Sequence, residues 1–459
     1  MAAKTRDLTE GPVWRALASV SAPMSLGILA VLSVGLADAF FLSKLGGAPL
    51  AAVGYIYPVT AAITSLSIGL SAAANAVVST AIGKGESDTA LARVAVHVIG
   101  TGIVLAAGLA LLFWLGHGWL FGLLGASGQP AEEIGKFIPW WCLSFPFLVL
   151  TMQSNAIFRA HGRAGLATVF MVSEAVLNIA LTPVLVFGLG PLPELGTAGA
   201  AMATMIARIC IAVAAGAYAW KAGYVDTCEA PWTGLRESLA KLARIGGPAS
   251  FSSAINPAGM AAVTAAVSTL GESAVAGFGA ATRVQSLALV PLLALSSGIG
   301  PVVGQNRGAE DPARARAATA QAFAICLAYG LLAAVVLTFF ATPIAALLTP
   351  EGQEREIAAM YLRYVGWSLF GYGILVVGNA AMNARDRALW SMGLSLGRIL
   401  IFYIPLAWIG VTLFGFPGIV GAAVIANLAA VLGGLWATAR TDLLPARDKL
   451  VGAVRETGT

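Results

Sequence analysis

Asn155 to Ala164 reads NAIFRAHGRA, and Asn379 to Ala388 reads NAAMNARDRA. Each stretch closes a long apolar segment and places basic residues directly after it. A second pair, Gly196 to Ala201 and Gly418 to Ala423, is similar in the same way, and both pairs are offset by about 222 to 224 residues. Matches that keep one order and one offset indicate that the chain contains two similar halves.

Apolar segments of membrane length surround these stretches. The 459 residues are 58% hydrophobic and 11% charged, whereas soluble domains carry about 25% charged residues. Runs of about twenty apolar residues are long enough to cross a bilayer. We predict twelve such spans, at residues 14–40, 50–72, 93–115, 138–158, 166–188, 197–219, 247–269, 275–302, 318–341, 361–383, 388–410 and 417–438. The first is too long for a signal peptide and is expected to be retained.

The distribution of lysine and arginine predicts the orientation of these spans. With the N-terminus inside, twenty basic residues fall in the inside segments and four in the outside segments. We therefore predict an inner-membrane protein with both termini in the cytoplasm. The fold class is all-α integral membrane, with twelve transmembrane helices in two parallel six-helix bundles. Its predicted parts are a bundle at 1–220, a cytoplasmic linker at 221–246, a bundle at 247–440 and a cytoplasmic tail at 441–459.

Several classes of function lack their sequence signals. The net charge of +5 belongs to the loops, so we expect no nucleic-acid partner. The chain contains neither G-x-x-x-x-G-K-[ST] nor H-E-x-x-H, so we expect no ATP hydrolysis by that route, no catalytic residues and no enzyme. Its four cysteines form no C-x-x-C, so we expect no disulfide and no metal site. They are Cys142, Cys210, Cys228 and Cys326.

Four short stretches and one proline lie in a characteristic order along the chain. They are Pro23, Ala37–Gly46 (ADAFFLSKLG), Gly69–Asn75 (GLSAAAN), Leu177–Pro183 (LNIALTP) and Val303–Ala309 (VGQNRGA). Together they resemble the multidrug and toxic compound extrusion (MATE) family over essentially the whole chain, with the DinF-like subgroup as a narrower expectation. The resemblance implies two six-helix bundles around a central cleft. It also implies export of organic, often cationic, compounds in exchange for protons or sodium ions.

Asp38 is the first candidate for ion coupling. It lies inside a predicted span, where an ionisable residue is costly enough to indicate a role. A carboxylate in such a place can bind and release a proton as its surroundings change. The resemblance adds that the matching aspartate is the coupling residue of the N-terminal half. The alternative is that Asp38, near the outer end of its span, is simply solvated.

Polar residues of the fifth and sixth spans are the next candidates. Asn178 and Thr182 are four residues apart, so they share one face of a helix. The family commonly has aspartate at the second position, and Thr182 removes that carboxylate. Asp38, Asn178, Thr182 and Thr204 can supply four oxygens with one negative charge. Because sodium favours several oxygens, preferably charged ones, this departure weakens sodium coupling without excluding it.

Glu174 lies one turn before Asn178, on the same face. It can replace the missing carboxylate as a coupling residue, or it can neutralise Arg208 of the sixth span; the sequence leaves both open. In the repeat alignment Glu174 matches Arg398, and Asp38 falls opposite an apolar stretch near Val263. The candidate coupling acids are therefore concentrated in the first half.

Candidate substrate contacts are less specific. Tyr55 and Tyr57 can stack on a flat cation or serve as interfacial aromatics. Five methionines can line a promiscuous cleft or simply fill space, and Gln285 opens the eighth span beside Arg283. The methionines are Met152, Met171, Met202, Met205 and Met260.

The resemblance implies, and the position of Asp38 is consistent with, an antiporter that exports amphipathic, cationic organic compounds in exchange for protons through Asp38. Its partners are small organic substrates and the lipid bilayer; we expect a monomer and no cofactor beyond the coupling ion. Two alternatives remain, sodium-coupled export and a lipid-linked saccharide flippase of the wider superfamily. A membrane acyl- or glycosyltransferase needs an interfacial acid or histidine site that the short loops do not provide, and a channel needs filter residues such as T-V-G-Y-G.

Overall fold

The computed structural model describes residues 7–190, 193–226 and 231–445. Cys228, most of the predicted tail and five basic residues of the termini lie outside these ranges: Lys4, Arg6, Arg447, Lys449 and Arg455. All regular structure in the described ranges is helical. The α-helices are α1 Val13–Ser43, α2 Gly47–Gly83, α3 Asp88–Leu123, α4 Gly128–Ala160, α5 Ala164–Phe187, α6 Gly196–Lys221, α7 Leu235–Ser268, α8 Glu272–Ala288, α9 Val290–Gly308, α10 Pro312–Ala346, α11 Gln353–Val365, α12 Leu369–Ala384, α13 Ala388–Leu396, α14 Ile404–Phe414 and α15 Phe416–Arg440.

Two short segments interrupt the later helices. A 3-10 turn at Gly366–Ser368 joins α11 to α12, and a π-helical segment at Gly397–Tyr403 joins α13 to α14. Each of these joined pairs forms one apolar stretch long enough to span a membrane. Among the described residues ten such stretches occur, and α8 with α9, bent by 42°, provides an eleventh. The remaining predicted span, 247–269, lies in α7 except for its last residue, and this helix contains several serines and Asn256 and is less apolar.

The helices are longer than the predicted spans. Helix α2 has 37 residues, which at about 1.5 Å per residue exceeds a hydrocarbon core of about 30 Å. Apolar runs mark the part of a helix inside lipid, whereas caps set its ends. Ser87 Oγ accepts a hydrogen bond from the Ala90 amide at the start of α3. Asp311 Oδ1 accepts one from the Arg314 amide, and Pro312 occupies the first turn of α10.

The chain divides into two compact units. The first contains Pro23–Ser250, and the second contains Leu8–Ala22 together with the chain from Phe251 onward. Helix α1 therefore changes unit at Pro23, and α7 changes unit after Ser250. The predicted linker, 221–246, is partly helical because α7 begins at Leu235.

Aromatic contacts mark the core of each unit. In the first unit, the Trp141 ring stacks on Phe145 at 5.3 Å and meets Phe113 edge-on at 5.8 Å. In the second unit, Tyr361 meets Phe278 edge-on at 5.3 Å. Small residues let backbones approach around these cores, because a Cβ added at Gly199 would lie 2.5 Å from the Leu185 carbonyl oxygen.

The segment before α1 is attached to the second unit by hydrogen bonds. The Leu8 amide donates to Gln305 Oε1 at 2.9 Å, and Asn306 Nδ2 donates to the Leu8 carbonyl at 3.3 Å. Arg314 Nη1 donates to the Gly11 carbonyl at 2.7 Å. Gln305 and Asn306 belong to the VGQNRGA stretch, so this motif holds the start of the first membrane helix.

Candidate functional site

The predicted coupling residues of the first unit lie together around Asp38. Asp38 comes from the last part of α1, and Thr182 comes from α5. The Thr182 hydroxyl lies 3.2 Å from Asp38 Oδ1 and 2.9 Å from the Asn178 carbonyl oxygen. A hydroxyl has one hydrogen to donate, so Thr182 can turn it toward either acceptor. Thr182 is fully buried, and this leaves its hydroxyl few other partners.

The amide of Asn178 extends this cluster to α6. Its Nδ2 donates to Thr204 Oγ1 at 3.0 Å, while its Oδ1 lies 3.5 Å from the Thr182 hydroxyl. Thr204 Oγ1 in turn donates to the Ala200 carbonyl of its own helix. Asp38, Thr182, Asn178 and Thr204 therefore form one cluster with a single carboxylate, in which the Thr182 hydroxyl can donate either to Asp38 or to Asn178.

Glu174 faces Arg208 instead of joining this chain. The Arg208 Nε and Glu174 Oε1 atoms are 3.9 Å apart, and both side chains are largely buried. Arg208 Nη1 also donates to Ser144 Oγ of α4 at 2.7 Å. The sequence leaves two roles open for Glu174, as a coupling residue or as the ion-pair partner of Arg208. This geometry places Arg208 beside Glu174, as the ion pair requires. Ser144 was not predicted; its only signal is a polar residue within the apolar fourth span.

The two tyrosines of α2 have different surroundings. Tyr57 OH donates to the Gly35 carbonyl at 3.1 Å, three residues before Asp38 on α1. Tyr57 is nevertheless 44% exposed as a residue. Tyr55 instead packs against the apolar core that includes Ile56 and Phe145. Of the two tyrosines, therefore, only Tyr57 is exposed in the way that stacking on a flat cation requires.

The remaining predicted substrate contacts belong to both units. In the first unit Met171 faces Gly27 of α1, since a Cβ added there would lie 3.0 Å from its sulfur. Met152, Met202 and Met205 are half-buried in the same unit. In the second unit Met260 packs against the core, and Gln285 Oε1 accepts a hydrogen bond from Tyr361 at 3.0 Å.

A polar network in the second unit was not predicted from the sequence. Arg398 donates to Asn427 Oδ1 from Nη2 at 2.9 Å, and Asn427 Nδ2 donates to Ser368 Oγ at 2.9 Å. The repeat offset carries the signal that locates it, because Thr204 and Asn427 are 223 residues apart and Ser144 and Ser368 are 224 residues apart. Arg398, Asn427 and Ser368 thus occupy the repeat positions of Glu174, Thr204 and Ser144.

Comparison with known sequences identifies the family. The profile of the family MatE matches residues 23–184 and again residues 248–409. The chain belongs to the MatE family. The two matches have the same length and start 225 residues apart. The internal duplication therefore extends through most of each half of the chain.

Individual MatE relatives extend over nearly the whole chain. A Shewanella oneidensis protein described as an FAD transporter is 33% identical, with 92% of this chain and 93% of that protein aligned. The multidrug export protein MepA of Staphylococcus aureus is 24% identical, with 91% and 92% aligned. The crystal structure of the Vibrio cholerae MATE transporter VcmN in its bent form has a TM-score of 0.85 at 30% identity, covering 94% of this chain and 98% of VcmN.

These matches confirm the predicted family and the predicted fold class. The chain is an all-α, multi-pass membrane protein with the twelve-helix MATE fold of two six-helix bundles. MatE proteins are transporters, so the prediction that the chain is not an enzyme is also confirmed. The Shewanella oneidensis relative is described as a transporter of FAD, and the Staphylococcus aureus relative is described as a multidrug export protein.

Proposed function

We propose that this MatE protein exports amphipathic organic compounds, cationic ones among them, in exchange for protons, with Asp38 as the coupling residue. It works as a monomer in the inner membrane with both termini cytoplasmic. The single observation that carries the coupling is the contact between Asp38 and Thr182, in the first unit and beside Asn178. The multidrug export relative supports the class of substrate.

The geometry supports proton exchange at Asp38 by a simple change of partner. When Asp38 is ionised, the Thr182 hydroxyl donates to its carboxylate. When Asp38 is protonated, the same hydroxyl turns to the Asn178 carbonyl oxygen at 2.9 Å. In both states of the carboxyl group the Thr182 hydroxyl therefore has an acceptor, so its buried hydrogen always has a hydrogen-bond partner. Inward movement of one proton charge releases about 2.3 kcal/mol per 100 mV of membrane potential.

Export of a flavin dinucleotide is a second candidate function. The observation that favours it is the 33% identity with the Shewanella oneidensis FAD transporter over 92% of the chain. Such a substrate is an aromatic ring system with a diphosphate, so it is amphipathic but anionic. It uses the same coupling residue, and it differs from the first candidate in the charge that the substrate site must accept.

The test is transport by the purified full chain in proteoliposomes. Efflux of ethidium, a fluorescent cation, is followed with a pH gradient or a sodium gradient imposed separately. We expect the pH gradient alone to drive efflux and Asp38→Asn to abolish it. Glu272→Gln, which removes an exposed acid from the first turn of α8, is the control and should transport normally.

Other outcomes of this assay identify the alternatives. Efflux that requires sodium would mean that Asp38, Asn178, Thr182 and Thr204 hold that ion despite the single carboxylate. Efflux of flavin adenine dinucleotide without efflux of ethidium would select the second candidate. Movement of neither compound, with transfer of a lipid-linked saccharide between leaflets, would replace both with a flippase.

A further inference from the structure

Arg398 is a buried cation that has no acidic partner among the residues that the structure describes. Its side chain is 9% exposed, and it belongs to the π-helical segment between α13 and α14. Its Nε and Nη2 donate to Asn427 Oδ1 at 3.2 and 2.9 Å, and its Nη1 donates to Asn256 Oδ1 at 3.4 Å. Within the described ranges no carboxylate forms an ion pair with it.

Two tyrosine rings complete the surroundings of the guanidinium. Its central carbon lies 5.1 Å from the Tyr372 ring centroid and 5.6 Å from that of Tyr403. Rings and amide oxygens attract a cation but carry no full negative charge. A buried charge in a protein is normally paired or bound to a ligand. The amide oxygens and tyrosine rings around Arg398 therefore offset its positive charge only in part.

The equivalent position of the first unit has the opposite charge. Glu174 occupies it in the repeat alignment, and there the buried arginine, Arg208, has that glutamate 3.9 Å away. In the second unit the arginine takes the helix position of the acid, and the facing residue is the neutral Asn427. Among the described residues, therefore, no carboxylate is paired with Arg398 as Glu174 is paired with Arg208.

The guanidinium retains donors for a further ligand. It has five N–H groups, and the three contacts to Asn427 and Asn256 use three of them. One of the two that remain belongs to Nη1 and the other to Nη2, and guanidinium N–H groups bind phosphate and carboxylate oxygens well. Segments of π-helix, such as the one that carries Arg398, frequently occur at functional sites.

Arg398 also lines a groove within the second unit. The groove has a volume of about 480 Å³, and most of its other side chains are apolar. Trp390 and Trp436, whose rings are 5.1 Å apart, form part of its wall together with Leu394 and Phe402. A ligand here has space for an apolar or aromatic body beside a single fixed positive charge.

We propose that Arg398 is the anion-binding residue of a substrate site in the second unit, which accepts amphipathic compounds that carry a phosphate or carboxylate. The apolar groove holds the body of the compound, and the guanidinium binds its anionic end. This assignment rests on the proposed export for its biological role, and it names the residue that binds the charged group of an anionic substrate, as the second candidate function requires. The phosphate of a phospholipid headgroup has the same chemistry and is distinguished by the experiment.

The experiment measures equilibrium binding by the full-length protein in nanodiscs without any gradient. Riboflavin 5′-phosphate and riboflavin, which differ only in the phosphate, are titrated by flavin fluorescence in phosphatidylcholine nanodiscs. We expect the phosphate form to bind at least tenfold more tightly, and Arg398→Gln to abolish that difference. Arg363→Gln, which removes an exposed positive charge of the same unit, should preserve it. Equal affinities of wild type for the two flavins, or an unchanged difference in Arg398→Gln, would overturn the proposal.

A second variant protects the test against misfolding. Asn256→Asp is nearly isosteric and places a carboxylate where the amide oxygen lies 3.4 Å from Arg398 Nη1. The folded variant should lose the preference for the phosphate because its own carboxylate satisfies the guanidinium. A folded Asn256→Asp protein that keeps the tenfold preference would contradict the assignment.

Two further arms separate the sources of the anion and the two proposals. If phosphatidylglycerol in the nanodiscs displaces the flavin phosphate from wild type and has no such effect in Arg398→Gln, the anion site is supported and its natural ligand is a lipid headgroup. Asp38→Asn should bind both flavins like wild type, because Asp38 belongs to the first unit. Failure of coupled transport with intact Arg398-dependent binding would therefore affect the proposed antiport alone.

Discussion

The Thr182 hydroxyl lies 3.2 Å from Asp38 Oδ1, although 144 residues separate the two in the sequence. This contact joins the fifth membrane helix to the last part of the first. It gives the departure from the family pattern at Thr182 a physical meaning, because the residue that lacks the carboxylate supplies a hydrogen-bond donor to the carboxylate that remains.

Replacement of Thr182 should therefore impair transport in proportion to the lost donor. A hydrogen bond to a charged group contributes about 1.5–3 kcal/mol, and each 1.4 kcal/mol is about a factor of ten. We expect Thr182→Ala to lower the initial rate of pH-driven efflux roughly tenfold and Thr182→Ser, which keeps the hydroxyl, to retain most of it. Equal rates for Thr182→Ala and wild type would show that the contact with Asp38 has no role in coupling.

Glu174 and Arg208 should behave as a structural ion pair. Loss of one partner of a buried pair costs up to about 3–5 kcal/mol because the other charge is left uncompensated. We expect Glu174→Gln to lower the melting temperature clearly and the double variant Glu174→Gln/Arg208→Gln to recover part of the loss. Thermal unfolding followed by size-exclusion chromatography measures both. A stable double variant that has lost pH-driven transport would instead make Glu174 a coupling acid.

The backbones of α5 and α6 approach each other closely at Gly199, so a larger residue there should cause a steric clash. A Cβ at Gly199 would meet the Leu185 carbonyl oxygen at 2.5 Å, whereas one at Gly216 would meet nothing within 4 Å. We expect Gly199→Ala to destabilise the protein by about 1–3 kcal/mol. Gly216→Ala on the same helix is the control and should be neutral or slightly stabilising. The same thermal assay decides, and equal melting temperatures would disprove the close packing.

The hydrogen bonds around Leu8 predict how the start of α1 is held. Gln305→Ala removes the oxygen that accepts from the Leu8 amide and should destabilise the protein by about 1 kcal/mol. Limited proteolysis should then cleave the chain before α1 more rapidly. Gln321→Ala makes the same change at an exposed position of the second unit and is the matched control. Identical cleavage of the two variants would contradict a role for Gln305.

The helices were largely predictable from the sequence, but their ends and breaks were not. The free energy of transferring a segment into lipid depends on its local composition, so an apolar run is sufficient to locate a span. Each predicted span accordingly lies on one helix or on consecutive helices. The bend between α8 and α9 comes directly before Pro291, which lies in the first turn of α9. Proline has no amide hydrogen to donate, so this break has a signal in the sequence that an apolar run does not report. The π-helical segment at Gly397–Tyr403 lies inside a single predicted span and is not marked by the apolar run either.

The candidate site divides in the same way. Helical periodicity was sufficient to place Asn178 and Thr182 on one face, because they are four residues apart on one helix. The contact of Thr182 with Asp38 joins α5 to α1, 144 residues apart, and the pairing of Glu174 with Arg208 joins the consecutive helices α5 and α6. Such contacts depend on how helices pack, which the spacing of residues along one helix does not determine.

The sequence by itself determined that this protein crosses the membrane many times, that its halves are duplicated, and that Asp38, Glu174, Arg208 and Arg398 lie within its spans. Hydropathy is an average over neighbouring residues, and the duplication is found by comparing two stretches of the sequence. Both can therefore be recognised without knowing distances in the folded protein. Only the tertiary structure decided which of those charges is compensated. Arg208 has a carboxylate within 4 Å and Arg398 has amides and rings, because the neutralisation of a buried charge depends on distances between helices.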